Sequence, residues 1–138
     1  MDHVILEKEV DSCGTGYRHR VNNHSDMYNL SAFLTDDVGP RGASRWIEWL
    51  LDGIPSDAES NHCFLEKENN DLVLIGTIPS WLCDEDPYWD SFQMPIPQLV
   101  YLLEQWKKVW EDKPDEVIIT RENNVYMVIQ KNNDMSQA

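Results

Sequence analysis

The chain has 138 residues, 41% of them hydrophobic, which fits one domain with one core and no need of disulfides. Eleven Lys and Arg stand against 25 Asp and Glu, a formal charge of −14, so a partner met through the bulk field is cationic and direct contact with nucleic-acid phosphates is disfavoured. No apolar run of about 18 residues occurs, and Met1-Asp2-His3 is not the basic start of an export signal, so neither a membrane span nor secretion is expected and the chain reads as cytoplasmic. Cys13, Cys63 and Cys83 are odd in number and lack a pairing motif, which fits reduced thiols.

From the N-terminus, His3 to Val10 reads as an extended run, Gly14-Thr15-Gly16 as a break, and Tyr17 to Val21 as a second strand. The apolar–polar segment Met27 to Leu34 is expected to be a further strand. A helix is predicted over about residues 42–52, with Ala43, Trp46, Ile47, Leu50 and Leu51 facing inward and Gly53 and Pro55 as stop signals. A hairpin follows, Cys63 to Lys67 with Leu72 to Ile78 around Glu68-Asn69-Asn70-Asp71.

The strongest helical signal covers about residues 97–112. Pro95-Ile96-Pro97 places a proline in the first turn, and Leu99, Leu102, Leu103, Trp106, Val109 and Trp110 recur as an apolar stripe. Lys107, Lys108 and Lys113 gather toward its end, and Pro114 stops it. A second hairpin, Val117 to Arg121 with Val125 to Gln130, turns around Glu122-Asn123-Asn124. The reading is an α+β fold, an antiparallel sheet with two main helices packed on it, in a single acidic domain of residues 1–131 followed by a polar tail, residues 132–138.

The charge is unevenly placed. Residues 47–97 hold eleven acids and one base, Lys67, whereas residues 117–138 are neutral, with Arg121 and Lys131 against Glu122 and Asp134. His19, His24, His62, Cys63 and Cys83 match no metal-binding spacing, so no metal or other cofactor is expected. No local signature marks a cysteine nucleophile, Gly14-Thr15-Gly16 lacks the rest of a phosphate loop, and adjacent acids such as Asp36-Asp37 arise from composition alone. The chain is therefore read as a binding protein without catalytic residues.

Trp81-Leu82-Cys83-Asp84-Glu85-Asp86-Pro87-Tyr88-Trp89-Asp90-Ser91-Phe92 stands apart, because its acids carry no base and are interleaved with aromatics in a loop. Some of these aromatics can plug the core edge. The functional reading is a protein-binding site of Asp84, Glu85, Asp86, Tyr88, Trp89 and Asp90, in which aromatics supply desolvated anchors and acids speed association with a basic partner.

This profile resembles the immunity proteins of bacterial polymorphic toxin systems, including contact-dependent growth inhibition. The resemblance lies in about residues 81–130: the acidic loop, Met94-Pro95-Ile96-Pro97 opening a Trp-bearing helix, Lys113-Pro114-Asp115-Glu116, and the closing hairpin Val117 to Ile129. It implies a protein that binds the toxic domain of a cognate effector, often a basic nuclease, and neutralises it. Three other classes compete: a nucleic-acid mimic that occupies a DNA-handling enzyme, which predicts extended rows of carboxylates; an enzyme with a site built from Asp84, Asp86 or Cys83, which needs a pocket with a perturbed titrating group; and a structural interaction subunit whose charge secures solubility.

Overall fold

Alternation of apolar and polar side chains gives each strand one wet and one dry face, and the fold follows from how the dry faces meet. The computed structural model describes residues 2–12, 14–19, 27–60, 63–67, 69, 71–77 and 92–132. It shows an α+β fold with helices packed on antiparallel sheets. The described strands divide between two four-stranded sheets. The first has the order β2-β1-β7-β8, from β1 (Asp2–Asp11), β2 (Gly14–His19), β7 (Glu116–Glu122) and β8 (Val125–Lys131). The second has the order β3-β4-β5-β6, from β3 (Ser56–Glu59), β4 (Cys63–Lys67), β5 (Leu72–Thr77) and β6 (Phe92–Pro95).

Three helices link and cover the sheets: α1 (Tyr28–Ala32), α2 (Ala43–Leu51) and α3 (Ile96–Asp112). Strands of both sheets touch α1, and α3 touches β6 of one sheet and β8 of the other. Inward residues of both sheets and the helices form one buried cluster, including Leu6, Phe33, Leu65, Ile75, Met94 and Trp106.

The predicted stripe of α3 is the one buried: Leu99, Leu102, Leu103, Trp106 and Val109 face the core, and Trp110 packs against it. Pro97 lies in the first turn, and Lys113 ends the helix with φ +51°, ahead of Pro114. Tyr17 holds β2 to this end of the helix. Its ring meets those of Trp106 and Trp110 edge to face at 5.8 and 5.5 Å, and its hydroxyl donates to the Pro114 carbonyl at 2.7 Å. Both predicted hairpins are present, the second closed by Asn123 and Asn124 at positive φ, the backbone its two-residue turn requires.

Four expectations are corrected. Met27 to Leu34 is not a strand but runs through α1 into a π-helical turn, Phe33–Val38. Its polar residues Asn29 and Ser31 are buried along with its apolar ones, so no wet face marked a helical period. Gly14-Thr15-Gly16 opens β2 rather than breaking the chain, with Asp11 paired to Gly14. Leu51 is 63% exposed rather than inward, since the buried stripe of α2 ends at Leu50. Strands β3 and β6 were not foreseen, being only four residues each, one of them ending in proline.

Candidate functional site

The two faces of the β3–β6 sheet carry different chemistry because burial alternates along β3 and β4. Cys63, Leu65 and Lys67 point inward, while Asp57 and Glu59 are exposed. Residues opposite one another in an antiparallel ladder share a face. The register sets Asp57 against Glu66 and Glu59 against Phe64, then Glu66 against Leu74 and Phe64 against Gly76. The outer face is thus a strip of half-buried Phe64 and Leu74 with three carboxylates along its β3 side. Gly76 shapes it: a Cβ there would lie 2.4 Å from Phe64 Cζ, so only a residue without a side chain lets the ring lie across β5.

Backbone pairing brings the acids together. The Ser60 amide donates to the Cys63 carbonyl at 2.9 Å, which makes Ser60 with Cys63, Ala58 with Leu65, and Ser56 with Lys67 the hydrogen-bonded pairs. Asp57 with Glu66 is then a non-hydrogen-bonded pair, the closer kind, with Cα atoms about 4.5 Å apart. Like charges held there destabilise the sheet.

Lys67, the one base within residues 47–97, does not reach this face. Lys67 is 3% exposed; its ammonium lies 2.5 Å from Asp52 Oδ1, donates to the Trp49 carbonyl and sits 4.4 Å from the centroid of the Trp49 ring. The hydrogen bond from Lys67 holds the Asp52 carboxyl below the ordinary carboxylate range, and the Ile54 amide lowers it further. Lys67 is therefore spent on Asp52, and among the described residues Asp57, Glu59 and Glu66 have no ion-pair partner.

Behind β3, toward α2, lies a cleft of about 620 Å³ lined by Arg41, Arg45, Trp46, Trp49, Ala58 and Glu59, among others. Its aromatic wall is fixed before any ligand arrives. Trp46 meets Phe33 edge to face at 4.9 Å and Trp49 at 5.7 Å, and Trp49 Nε1 donates to Ser56 Oγ at 3.1 Å. Cys63 is fully buried, its amide donating to Asp37 Oδ2 at 2.8 Å. Burial pushes its thiol well above the ordinary range, and the Asp37 charge adds to this, the reverse of what activates a nucleophile.

The predicted site residues Asp84, Glu85, Asp86, Tyr88, Trp89 and Asp90 lie outside the described residues. Their segment joins β5 to β6, neighbouring strands of this same sheet. His24, His62, Cys13 and Cys83 also lie outside the described residues. Sequence reasoning missed Asp57, Glu59, Phe64 and Glu66, although Ser56-Asp57-Ala58-Glu59 alternates and Phe64 and Glu66 share a parity. Among the described residues no group of three or more His, Cys, Asp or Glu is gathered to hold a metal ion, and no helix is long and apolar enough to cross a membrane. No protein-family model, curated protein or solved structure matches the chain.

Proposed function

We propose that the chain is an immunity protein: in the cytoplasm it binds and neutralises a cognate toxin domain, a basic nuclease, by occupying it rather than by catalysis, and it uses no cofactor. The observation that supports this best is the pairing of Asp57 with Glu66 while Lys67 is turned inward. A fold optimised for stability alone would not keep like charges opposed with the neighbouring Lys67 spent elsewhere, whereas a surface built to meet a basic partner uses that field in the complex. A nuclease must present a basic groove to its phosphates, so this face suits it. Phe64 and Leu74 supply apolar contact within the charged rim. Asp84, Glu85, Asp86, Tyr88, Trp89 and Asp90, in the segment that follows β5 in sequence, are further acids and aromatics of the kind a basic partner would meet. Specificity for one toxin then rests on where these groups stand rather than on net charge.

The test is capture of the tagged chain's partner by co-expression with the product of the neighbouring upstream gene, with mass spectrometry, titration at two salt concentrations and a nuclease assay. The expected result is a basic domain bound at nanomolar affinity, weakened by salt, its nuclease activity suppressed by the chain. Relief of that suppression by the triple variant Asp57→Asn, Glu59→Gln, Glu66→Gln tests the face itself. Capture of a DNA-handling enzyme instead would favour nucleic-acid mimicry, and a captured domain without toxicity would overturn the immunity reading.

A further inference from the structure

The cleft behind β3 borders an edge of its sheet, and among the described residues the edges at β8 and β3 are treated differently. On β8, at the edge of the other sheet, the amides of Tyr126 and Val128 are taken by side chains of α3: Tyr126 donates to Gln98 Oε1 at 3.0 Å and Val128 to the Tyr101 hydroxyl at 3.3 Å. That is how a protein blunts an edge against strand addition. On β3 the pairing described above turns the backbone groups of Ser56 and Ala58 toward β4 and leaves those of Asp57 and Glu59 pointing outward. Among the described residues nothing hydrogen-bonds to them.

We infer that β3 is the docking edge for an extended segment of the partner, which adds to the sheet as a further strand beside Asp57 and Glu59. This rests on the proposed function, since the segment belongs to the basic toxin domain. The two sides of β3 define its sequence. Side chains of an added strand alternate between the faces of the sheet. Those on the outer face stand next to Asp57 and Glu59 and are Lys or Arg. Those on the inner face enter the cleft, against the fixed wall of Trp46 and Trp49, and are large and apolar. Arg41 and Arg45, both exposed and without ion-pair partners among the described residues, stand at the cleft wall and select against a basic residue at those inner positions. The chemistry is thus an extended segment alternating basic with bulky apolar residues, bound through main-chain hydrogen bonds along one edge.

The probe is a blocked synthetic peptide alternating lysine with valine and phenylalanine, titrated into the full chain. Controls are the same peptide N-methylated along one edge and a peptide of equal composition with its lysines in one block. Binding should slow hydrogen exchange at the Asp57 and Glu59 amides at least tenfold, and N-methylation of the facing edge should abolish it. Glu59→Pro, which removes an outward amide at an edge position where proline is tolerated, should weaken binding at least tenfold, against two- to threefold for Glu59→Gln, which removes only charge. Equal binding by the blocked-lysine peptide, or equal loss in the two Glu59 variants, would overturn strand addition. The exchange measurement is repeated with the captured partner. A partner that binds without slowing exchange at Asp57 and Glu59 overturns this inference while leaving the immunity reading intact. Failure to find a basic partner, with the peptide still protecting the edge, removes that reading and leaves the edge as a peptide site.

Discussion

Asp57 and Glu66 face one another across the β3–β4 ladder at a non-hydrogen-bonded pair, with no cation against either among the described residues. Opposed like charges destabilise a sheet by roughly 0.2–1 kcal/mol. Asp57→Asn is therefore expected to raise the unfolding free energy by that amount while slowing association with a basic partner. Chemical denaturation and stopped-flow association at low salt check the two arms. A variant that is no more stable than the parent would remove the strain argued for this face.

Trp106 is 2% exposed, meets Tyr17 and Trp110 edge to face, and donates from Nε1 to the Gly39 carbonyl at 2.9 Å. It ties α3 both to β2 and to the turn after the π-helical segment. Trp106→Ala should lower stability by about 3–5 kcal/mol, the range for a large aromatic removed from a packed core. A melting curve superimposable on the parent's would refute the packing described.

Acid titration should report the Asp52–Lys67 contact. Because the folded state lowers the Asp52 pKa, the unfolded chain binds that proton more tightly, so the contribution is full above the ordinary carboxylate value of 3.8 and fades as pH falls through the folded value. Asp52→Asn should thus be less stable than the parent at neutral pH, with the gap closing in acid. A gap that stays constant with pH would mean that the contact is not ionic in the folded protein.

At the alkaline end the reporter is Tyr17. Burial pushes its pKa up to about 12, with the Asp115 charge adding to the shift. Its contribution is full below the ordinary value of 10 and is lost as pH rises toward 12, since the unfolded chain ionises first. Tyr17→Phe should cost about 1 kcal/mol at neutral pH through the lost hydrogen bond to Pro114, and its decline between those pH values should be shallower. Denaturant midpoints measured across that range decide the matter.

Where the sequence carried a period, it was legible. The stripe of α3 gave five of its six residues as buried core, and the turn residues Asn123 and Asn124 marked their hairpin, because helical spacing and left-handed turns leave local signatures. The segment from Met27 lost its period because Asn29 and Ser31 are buried along with its apolar residues. The division into two sheets was not readable, since pairing of β1 with β7 joins residues more than a hundred positions apart and nothing local announces it. The acidic stretch of residues 47–97 is plain in the composition, but the inward turn of Lys67 is not. Its identity gives its charge; only its parity on β4, with Leu65 and Cys63, gives its direction.

That parity has a further consequence for how such a protein can change. On β3 and β4 the side chains that build the core and those of the proposed docking face are interleaved one by one, Ala58 and Leu65 on one side, Asp57, Glu59, Phe64 and Glu66 on the other. Every second letter of this stretch can be rewritten without disturbing the neighbour that holds the fold. Under the function proposed above, the outer face can then be altered stepwise while the alternate, buried positions keep the fold.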